Sequence, residues 1–363
     1  LLREVPIDTI AREWKDGKCQ GALIEEQRTN LLTYSEQFDD ASWVKEGSTV
    51  SSNVVLSPDG STTAEKIQRS NAYDLIRKTV TINSAVHTVS VFVKDNTAGS
   101  VTIGVQDSVD TNLIDRIVIN LSDGGIIAQQ TSDFNTTLTS AEELNNGWKR
   151  FSLSFLPLGN PVRNIFYPGN FSENTSGSIY LWGAQLEEDS QPSSYIPTTS
   201  SQVTRATDEV SRILGDEFNP KEFTVFSVLS IYVDITDNYV YRLFITDSAN
   251  STGSDWIGIA TYQNQIRLRT SLDGSLREVF YFPSSGLYTI KAAYSIDTAT
   301  GEVGFFLDGE NIGTVTTTSL DADNISYLKF ATTSVNADRL LIVDEFQYYP
   351  YAMTAAELEE LTK

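Results

Sequence analysis

Short alternating segments separated by turn residues constrain the fold of this chain more than any other feature. Residues 89–94 (VSVFVK) and 101–105 (VTIGV) alternate in side-chain character, and residues 95–99 (DNTAG) between them are turn formers. Alternation with a period of two indicates strands rather than helices. Many such short strands are typical of a sandwich or barrel and not of a βαβ fold. The sequence therefore predicts an all-β protein in which these two segments form a β-hairpin.

A change in composition across residues 178–199 divides the chain in two. The first part of this stretch, SIYLWGAQLEE, predicts a strand with Leu181 and Gly183 on one face and Trp182 and Ala184 on the other. We expect Trp182 to pack against the domain that this strand closes. The second part, DSQPSSYIPTT, contains two prolines that remove backbone donors, so it predicts an exposed connection.

The length of 363 residues suits two domains. We predict two antiparallel β-sandwich (jelly-roll) domains in tandem, followed by a short C-terminal helix. Thr354 and Glu357 form the capping-box pattern that starts this helix, and a single helical turn is an option at residues 140–144. The predicted boundaries are an extended lead-in over residues 1–29, a first sandwich over 30–199, a linker over 200–219 and a second sandwich over 220–363.

Charge and hydropathy exclude two classes of partner. The chain has 48 acidic and 26 basic residues, giving a net charge of -22, and the basic residues are scattered. Such a chain repels phosphate backbones, so we expect no nucleic-acid partner. No apolar run approaches the roughly 20 residues of a membrane helix, so we expect a soluble protein without membrane insertion. A secretory signal pattern is also missing from the N-terminal residues.

The residues that usually carry catalysis or metals are scarce. A single cysteine, Cys19, excludes an intrachain disulfide, and the single histidine, His87, lies in an alternating segment that predicts an ordinary sheet residue. Adjacent carboxylates such as Glu187 and Glu188 face opposite sides of a strand, unlike a glycosidase pair, so we expect no enzyme. We expect no metal site and no cofactor, with a structural Ca²⁺ left open at residues 107–110 and 321–324.

Several motifs in the first half resemble one family of proteins. Residues 21–36 (GALIEEQRTNLLTYSE) are similar to the opening of many phage and prophage virion proteins, especially tail-fibre and related host-contact proteins. Trp43 with SPDG at 57–60, GWKRF at 147–151, and LWGAQLE followed by SYIPT within 181–198 fit the same pattern in the same order. The resemblance covers roughly residues 17–208. It implies a jelly roll like that of carbohydrate-binding modules, carried on a virion structural protein.

The second half resembles a different family. Residues 288–313 contain a strand, a small turn and a hairpin with an apolar-Asp-Gly turn, and residues 346–358 suggest a last strand followed by a helix. Both features are similar to the laminin-G or concanavalin-A-like lectin sandwich. This resemblance spans about residues 220–363 and implies a fold rather than a ligand.

Aromatic residues flanked by polar groups are the candidates for a sugar site, because a sugar ring has an apolar face and a polar rim. Trp256 is the leading candidate because it follows Asp255 in a polar segment that leads into a strand. The predicted ligand-binding residues are Trp256, Asp255, Tyr241, Tyr239, Tyr262 and Arg269. Further candidates in the first domain are Trp43, Tyr73, Trp148 and Trp182. Core packing is the competing interpretation for each of these aromatic residues.

These patterns together predict a non-enzymatic phage virion protein, such as a tail fibre or spike on the tail or capsid surface. We expect it to attach to the host by binding a cell-surface glycan and to contact other virion proteins. We also expect a homo-oligomer, with a trimer favoured, because linked copies multiply weak affinity for a sugar. Two alternatives remain open. One is a structural or decorating virion protein whose lectin-like folds serve assembly, and the other is a polysaccharide depolymerase.

Overall fold

The computed structural model describes residues 10–15, 18–233, 240–247, 256–272, 275–284, 286–316, 325–331 and 341–363. Within these ranges the protein consists of antiparallel β-sheets and one short α-helix, which confirms the predicted all-β class. The chain divides into two compact units. The first unit holds Arg28–Arg205, and the second holds Ala206–Lys363 together with the N-terminal stretch that ends at Gln27.

The strands are numbered in chain order, and most are between three and nine residues long. They are β1 (Arg12–Lys15), β2 (Lys18–Ile24), β3 (Arg28–Asn30), β4 (Val44–Glu46), β5 (Thr49–Val55), β6 (Ala64–Arg69), β7 (Leu75–Val80), β8 (His87–Asp95), β9 (Ser100–Asp107), β10 (Ile114–Asn120), β11 (Ile126–Gln130), β12 (Thr137–Glu143), β13 (Trp148–Phe155), β14 (Val162–Pro168), β15 (Gly177–Glu188), β16 (Val203–Arg205), β17 (Glu209–Ile213), β18 (Glu222–Val233), β19 (Val240–Thr246), β20 (Trp256–Tyr262), β21 (Gln265–Leu272), β22 (Ser275–Tyr281), β23 (Gly286–Asp297), β24 (Glu302–Leu307), β25 (Glu310–Thr316), β26 (Tyr327–Ala331) and β27 (Leu341–Tyr349). The helix is α1 (Ala355–Thr362).

The first unit is a sandwich of two six-stranded sheets. One, called here the β9 sheet, has the order β11-β10-β9-β14-β7-β4, and the other, the β8 sheet, has the order β12-β13-β8-β15-β6-β5. Alternate residues of each strand enter one shared core, such as Val91 of β8 and Ile103 of β9, both at most 1% exposed. Complete burial of each such side chain contributes about 1.5–3 kcal/mol, so the alternating segments determine this packing.

The predicted hairpin at residues 89–105 is wrong. Strands β8 and β9 do form, but β8 pairs with β13 and β15, whereas β9 pairs with β10 and β14. The intervening turn, with the Asp95 carboxylate accepting from the backbone N–H of Ala98 and Gly99, crosses from one sheet to the other. Both strands have one apolar face in the core, and that pattern is the same for a hairpin and for a crossover between facing sheets.

The strand predicted at residue 178 onwards exists as β15, with one irregularity. The pairing of β15 with β8 shifts register between Trp182 and Gln185, and Gly183 has a φ of 60°. The shift turns Ala184 into the main core beside Leu181, so the prediction that Ala184 shares a face with Trp182 is wrong. A β-bulge places an extra residue in one strand and reverses the alternation beyond it.

The second unit is also a sandwich. The β18 sheet has the order β1-β2-β27-β18-β23-β24-β25, and the β20 sheet has the order β17-β26-β19-β20-β21-β22. Residues 10–27, predicted as an extended lead-in, contribute β1 and β2 to the β18 sheet, where Ile24 is 1% exposed in the core. Strand β2 covers the edge of β27, which would otherwise present unpaired backbone groups. The predicted linker contains β16, which pairs with β3, and β17, which pairs with β26.

Local turn and cap patterns agree with the structure in the second unit. Strand β20 pairs with β21 around Gln263 and Asn264, and β23, β24 and β25 form two successive hairpins. The capping box of α1 is present, with Thr354 and Glu357 bonding to each other's backbone N–H. The helical turn considered at residues 140–144 is wrong, because most of it belongs to β12, which pairs with β13. In the described residues no helix is long and apolar enough to cross a bilayer.

Candidate functional site

Three of the predicted ligand-binding residues lie on the outer face of the β20 sheet. Trp256 begins β20, Tyr262 ends it, and Arg269 lies in β21 opposite Gly258. They share this face because the alternate residues Ile257 and Ile259 point into the core. Tyr241 belongs to β19, where its backbone pairs with Ala260. Asp255 and Tyr239 lie outside the described residues.

The arginines of this face stack on its aromatic rings. The guanidinium carbon of Arg269 lies 5.5 Å from the ring centre of Trp256. Two residues away on the same face, Arg267 lies 4.7 Å from Tyr262 and 5.6 Å from Phe280 of β22. Each contact falls within the distance at which a cation is attracted to the face of an aromatic ring. The result is a row of planar groups on neighbouring strands.

Glu278 of β22 holds the two arginines in place. The Nη1 of Arg267 donates to both carboxylate oxygens at 3.1 and 3.2 Å, and the Nε of Arg269 bonds to Oε1. Gln265 accepts from the Nε of Arg267 at 2.6 Å. These side chains keep few alternative rotamers, so a ligand that contacts them orders little further protein.

Exposure separates the packed part of this face from the open part. Trp256 is 6% exposed, so its ring is not available for stacking, whereas Phe280 is 47% and Phe282 is 63% exposed. The rings of Phe280 and Phe282 lie 5.3 Å apart in an edge-to-face arrangement. Sequence reasoning missed Phe280, Glu278 and Arg267. The sequence signal that could have found them is a two-residue spacing. Arg267 and Arg269 have this spacing on one strand, and Glu278 and Phe280 have it on the next, so each pair shares a face.

The aromatic candidates of the first unit also divide into buried and exposed residues. Trp43, Trp148 and Trp182 are 1–2% exposed, whereas Tyr73 is 57% exposed. The indole N–H groups of the buried three donate to Tyr34, Leu56 and Thr63, respectively. This confirms the expectation that Trp182 packs within its own domain.

Tyr73 lies beside an aromatic and cationic group on the outer face of the β9 sheet. Its ring is 6.2 Å from that of Phe171, and Phe171 is 6.2 Å from Tyr167. The guanidinium carbon of Arg116 lies 4.6 Å from Phe171 and 5.8 Å from Tyr167. We call these four residues the Tyr73 surface.

The remaining chemical candidates have structural roles where they are described. Asp107 accepts from the backbone N–H of Val109 and Asp110 and from the side chain of Asn160, so its oxygens stabilise a turn. Residues 321–324 lie outside the described residues. Within the described ranges, no cluster of three or more His, Cys, Asp or Glu side chains could hold a metal ion. His87 is 1% exposed in β8, and burial lowers its pKa, as for an ordinary sheet histidine.

No family model and no curated protein matches the chain. Among solved structures, the binding domain of botulinum neurotoxin DC in complex with rat synaptotagmin II is similar, with 12% identity and a TM-score of 0.35 over 42% of this chain and 39% of that one. Domain 4 of a GH43 extracellular arabinanase from Geobacillus stearothermophilus, in complex with arabinotriose, has 14% identity and a TM-score of 0.32 over 42% and 71%. The CBM40 of the Ruminococcus gnavus IT-sialidase has 12% identity and a TM-score of 0.32 over 40% and 84%. The chain spans less than half the length of the toxin binding domain.

Proposed function

We propose that this protein is a non-enzymatic adhesion protein of a phage virion, located on the tail or capsid surface, that binds host cell-surface glycans. The observation that carries the glycan-binding part is the exposed ring of Phe280 beside the paired side chains of Arg267 and Glu278. The virion part rests on the sequence motifs of residues 17–208 alone.

The chemistry of this face suits a sugar. An exposed aromatic ring stacks on the apolar face of a pyranose, and fixed planar polar groups accept from and donate to its hydroxyls. Phe280 supplies the ring, Glu278 supplies acceptors, and Arg267 and Gln265 supply planar polar groups on the adjacent strand. Because Arg267 and Glu278 already bond to each other, sugar binding orders few side chains.

A single site of this kind binds weakly, so attachment in this proposal depends on several copies. Linked sites raise overall affinity because the second binding event becomes intramolecular. We propose a homotrimer that is held with other virion proteins. Chemical crosslinking and light scattering of the purified protein test the trimer.

The experiment compares two neighbouring aromatic residues. Phe280 and Tyr281 are both exposed, at 47% and 38%, but consecutive strand residues face opposite sides of a sheet. On glycan arrays and on host cells, we expect Phe280→Ala to weaken binding about tenfold, the loss of about 1.4 kcal/mol of contact. Tyr281→Ala is the matched control and should bind as the wild type does.

Three results contradict the proposal. Equal binding by the wild type and Phe280→Ala would show that this face does not bind the glycan. Failure of the wild type to bind any glycan or host cell, together with assembly onto another virion protein, favours the structural role. Release of reducing ends from host polysaccharide favours the depolymerase.

A further inference from the structure

A glycine in β9 leaves the space in which the Tyr73 surface forms across three strands of the β9 sheet. Gly104 of β9 lies between Arg116 of β10 and Ile165 of β14 in the register. A Cβ at Gly104 would lie 2.9 Å from the Asp115 carbonyl oxygen and 3.3 Å from the Cγ of Arg116. The Arg116 side chain occupies this space, which brings its guanidinium group to the rings of Phe171 and Tyr167.

Hydrogen bonds hold the two loops that carry Tyr73 and Phe171. The Phe171 N–H donates to the Thr102 hydroxyl at 3.2 Å, and the Tyr73 N–H donates to the Phe171 carbonyl at 3.1 Å. Arg69, which is 2% exposed, donates to the carbonyl of Asn170 at 2.6 Å. Tyr73 itself has a φ of 64°. A non-glycine residue held in this left-handed region is a feature that accumulates at binding sites.

The charge of Arg116 is not balanced by a carboxylate. Arg116 donates to Gln130, a neutral side chain, at 3.3 Å, and its buried Nε has no hydrogen-bond partner. In the part of the chain that the structure describes, no carboxylate lies within ion-pair distance of it. This is unexpected in a chain with 48 acidic and 26 basic residues.

Three other stacked or outward arginines differ in this respect, whereas Arg150, stacked on Phe92, and Arg163, outward on the same sheet, also donate to neutral partners. Arg267 and Arg269 share Glu278, and Arg77, on the same sheet face as Arg116, pairs with Glu46 at 2.5 Å. Arginine has a planar fork of donors that matches a carboxylate, so a guanidinium left with neutral partners beside an exposed ring selects an anionic ligand.

We infer that the Tyr73 surface binds a saccharide that bears a carboxylate group, such as a uronic or sialic acid residue. The sugar ring stacks on Tyr73 and Phe171, and its carboxylate accepts from Arg116. This is a second site with its own ligand chemistry. It lies in the first unit and stands independently of the Phe280 face proposed above for the second unit.

The test uses a galacturonate tetramer and its methyl ester, which has the same rings without the charge, with sialyllactose and lactose as a second pair. Binding to the full chain is measured by calorimetry. We expect the wild type to bind the acid of at least one pair at least about tenfold more tightly than its neutral counterpart, as for hydrogen bonds to a charged group. Arg116→Gln should lose about tenfold of that affinity and should abolish the preference for the acid.

Two further variants separate the ring from the charge. Tyr73→Gly removes the exposed ring, and glycine adopts this backbone conformation without strain; we expect about tenfold weaker binding of both acid and neutral sugar. Arg77→Gln removes the same charge from the same sheet face. Arg77 is three strand spacings from Arg116, about 14 Å, which exceeds the Debye length of about 8 Å at physiological salt, so binding should change less than about twofold.

Three outcomes overturn the inference. They are equal affinity for acid and neutral sugar, equal losses in Arg116→Gln and Arg77→Gln, and no binding of either acid by the folded wild type. Thermal melting of each variant verifies folding. Phe280→Ala is included because it should leave acid binding unchanged, so a failure of the Phe280 face and a failure of the Tyr73 surface give different results.

Discussion

The outer faces of the two sheets in the first unit carry similar aromatic residues but differ in what lies over them. On the β8 sheet, Trp182 is 2% exposed, with the ring of Tyr195 at 4.7 Å and that of Phe92 at 5.2 Å. On the β9 sheet, Tyr73 is 57% exposed beside Phe171. The comparison shows that a covering segment decides whether an aromatic residue stabilises the fold or presents a surface.

The covering segment is the proline-containing part of residues 178–199. Its Tyr195 donates to the Glu36 carboxylate at 3.0 Å, its Ile196 N–H donates to Gln185 at 2.7 Å, and its Thr198 N–H donates to Ser35 at 2.8 Å. The segment predicted as an exposed connection therefore closes one face of the sandwich. Residues 190–195 are half-buried, and Ile196 is 4% exposed.

The largest expected effect tests the covered face. Trp182→Ala removes a buried ring and leaves Thr63, its hydrogen-bond partner at 2.9 Å, without that donor. Truncation of a buried tryptophan costs about 3–5 kcal/mol, so the midpoint of urea unfolding, followed by circular dichroism, should fall strongly. A loss below about 1 kcal/mol, the usual size for a partly exposed side chain, would mean that this face is not a packed cluster.

The second prediction concerns a buried carboxyl group in the covered sheet. Glu65 of β6 is 1% exposed and accepts from the Asp39 N–H at 3.0 Å. Burial, together with the charge of Asp39, raises the pKa of Glu65 to about 8. The folded state therefore retains a proton that the unfolded state releases, so this contribution to stability is complete below the ordinary pKa of 4.5 and is lost as the pH rises to about 8.

Glu65→Gln keeps the shape of the neutral carboxyl group and removes its titration. We expect the wild type to lose at most about 1.4 kcal/mol of stability per pH unit across this window relative to the variant. Urea unfolding at a series of pH values between 5 and 8 measures the difference. Parallel pH profiles for the two proteins would show that Glu65 ionises without cost. Glu173, which is exposed, provides the control variant Glu173→Gln, whose profile should match that of the wild type.

The sequence was sufficient to predict where these strands lie but not which strands pair with each other. Period-two alternation predicted β8, β9 and β15, because a strand with one buried face needs that pattern whatever it pairs with. The same pattern could not distinguish a hairpin from a crossover, so the pairing of β8 with β9 was predicted wrongly. Pairing depends on contacts between residues that are far apart in the chain, and local patterns do not encode them.

For the site residues too, the local sequence pattern does not determine the contacts made by distant parts of the chain. The candidates Tyr262 and Arg269 lie on one face with Trp256, but exposure depends on what covers that face, and Trp256 is 6% exposed. Phe280 gave no separate motif. It becomes conspicuous only when the register places it opposite Arg267.

The third prediction tests the β-bulge under the covering segment. At Gly183, with a φ of 60°, a Cβ would lie 2.9 Å from the Phe92 ring and 3.2 Å from the Tyr195 ring. At Gly99, with a φ of 67°, nothing lies within 4 Å. Both Gly→Ala substitutions incur backbone strain of about 1 kcal/mol. Gly183→Ala should cost about 1–3 kcal/mol more, because the rings must move. Equal urea midpoints for the two variants would mean that Tyr195 is not held against the sheet.

The smallest expected effect tests the open face, and it links stability to binding. Tyr73→Gly removes a ring that lies 6.2 Å from the ring of Phe171 and relieves a left-handed backbone with a φ of 64°. The lost contact and the added freedom of the unfolded chain oppose the relieved strain, so the free energy of unfolding should change by less than about 0.5 kcal/mol. A loss above about 1 kcal/mol would place Tyr73 among packed residues such as Trp182. It would also remove the physical basis for an acidic-sugar site, because a ring that stabilises the fold in this way is not free to stack on a ligand.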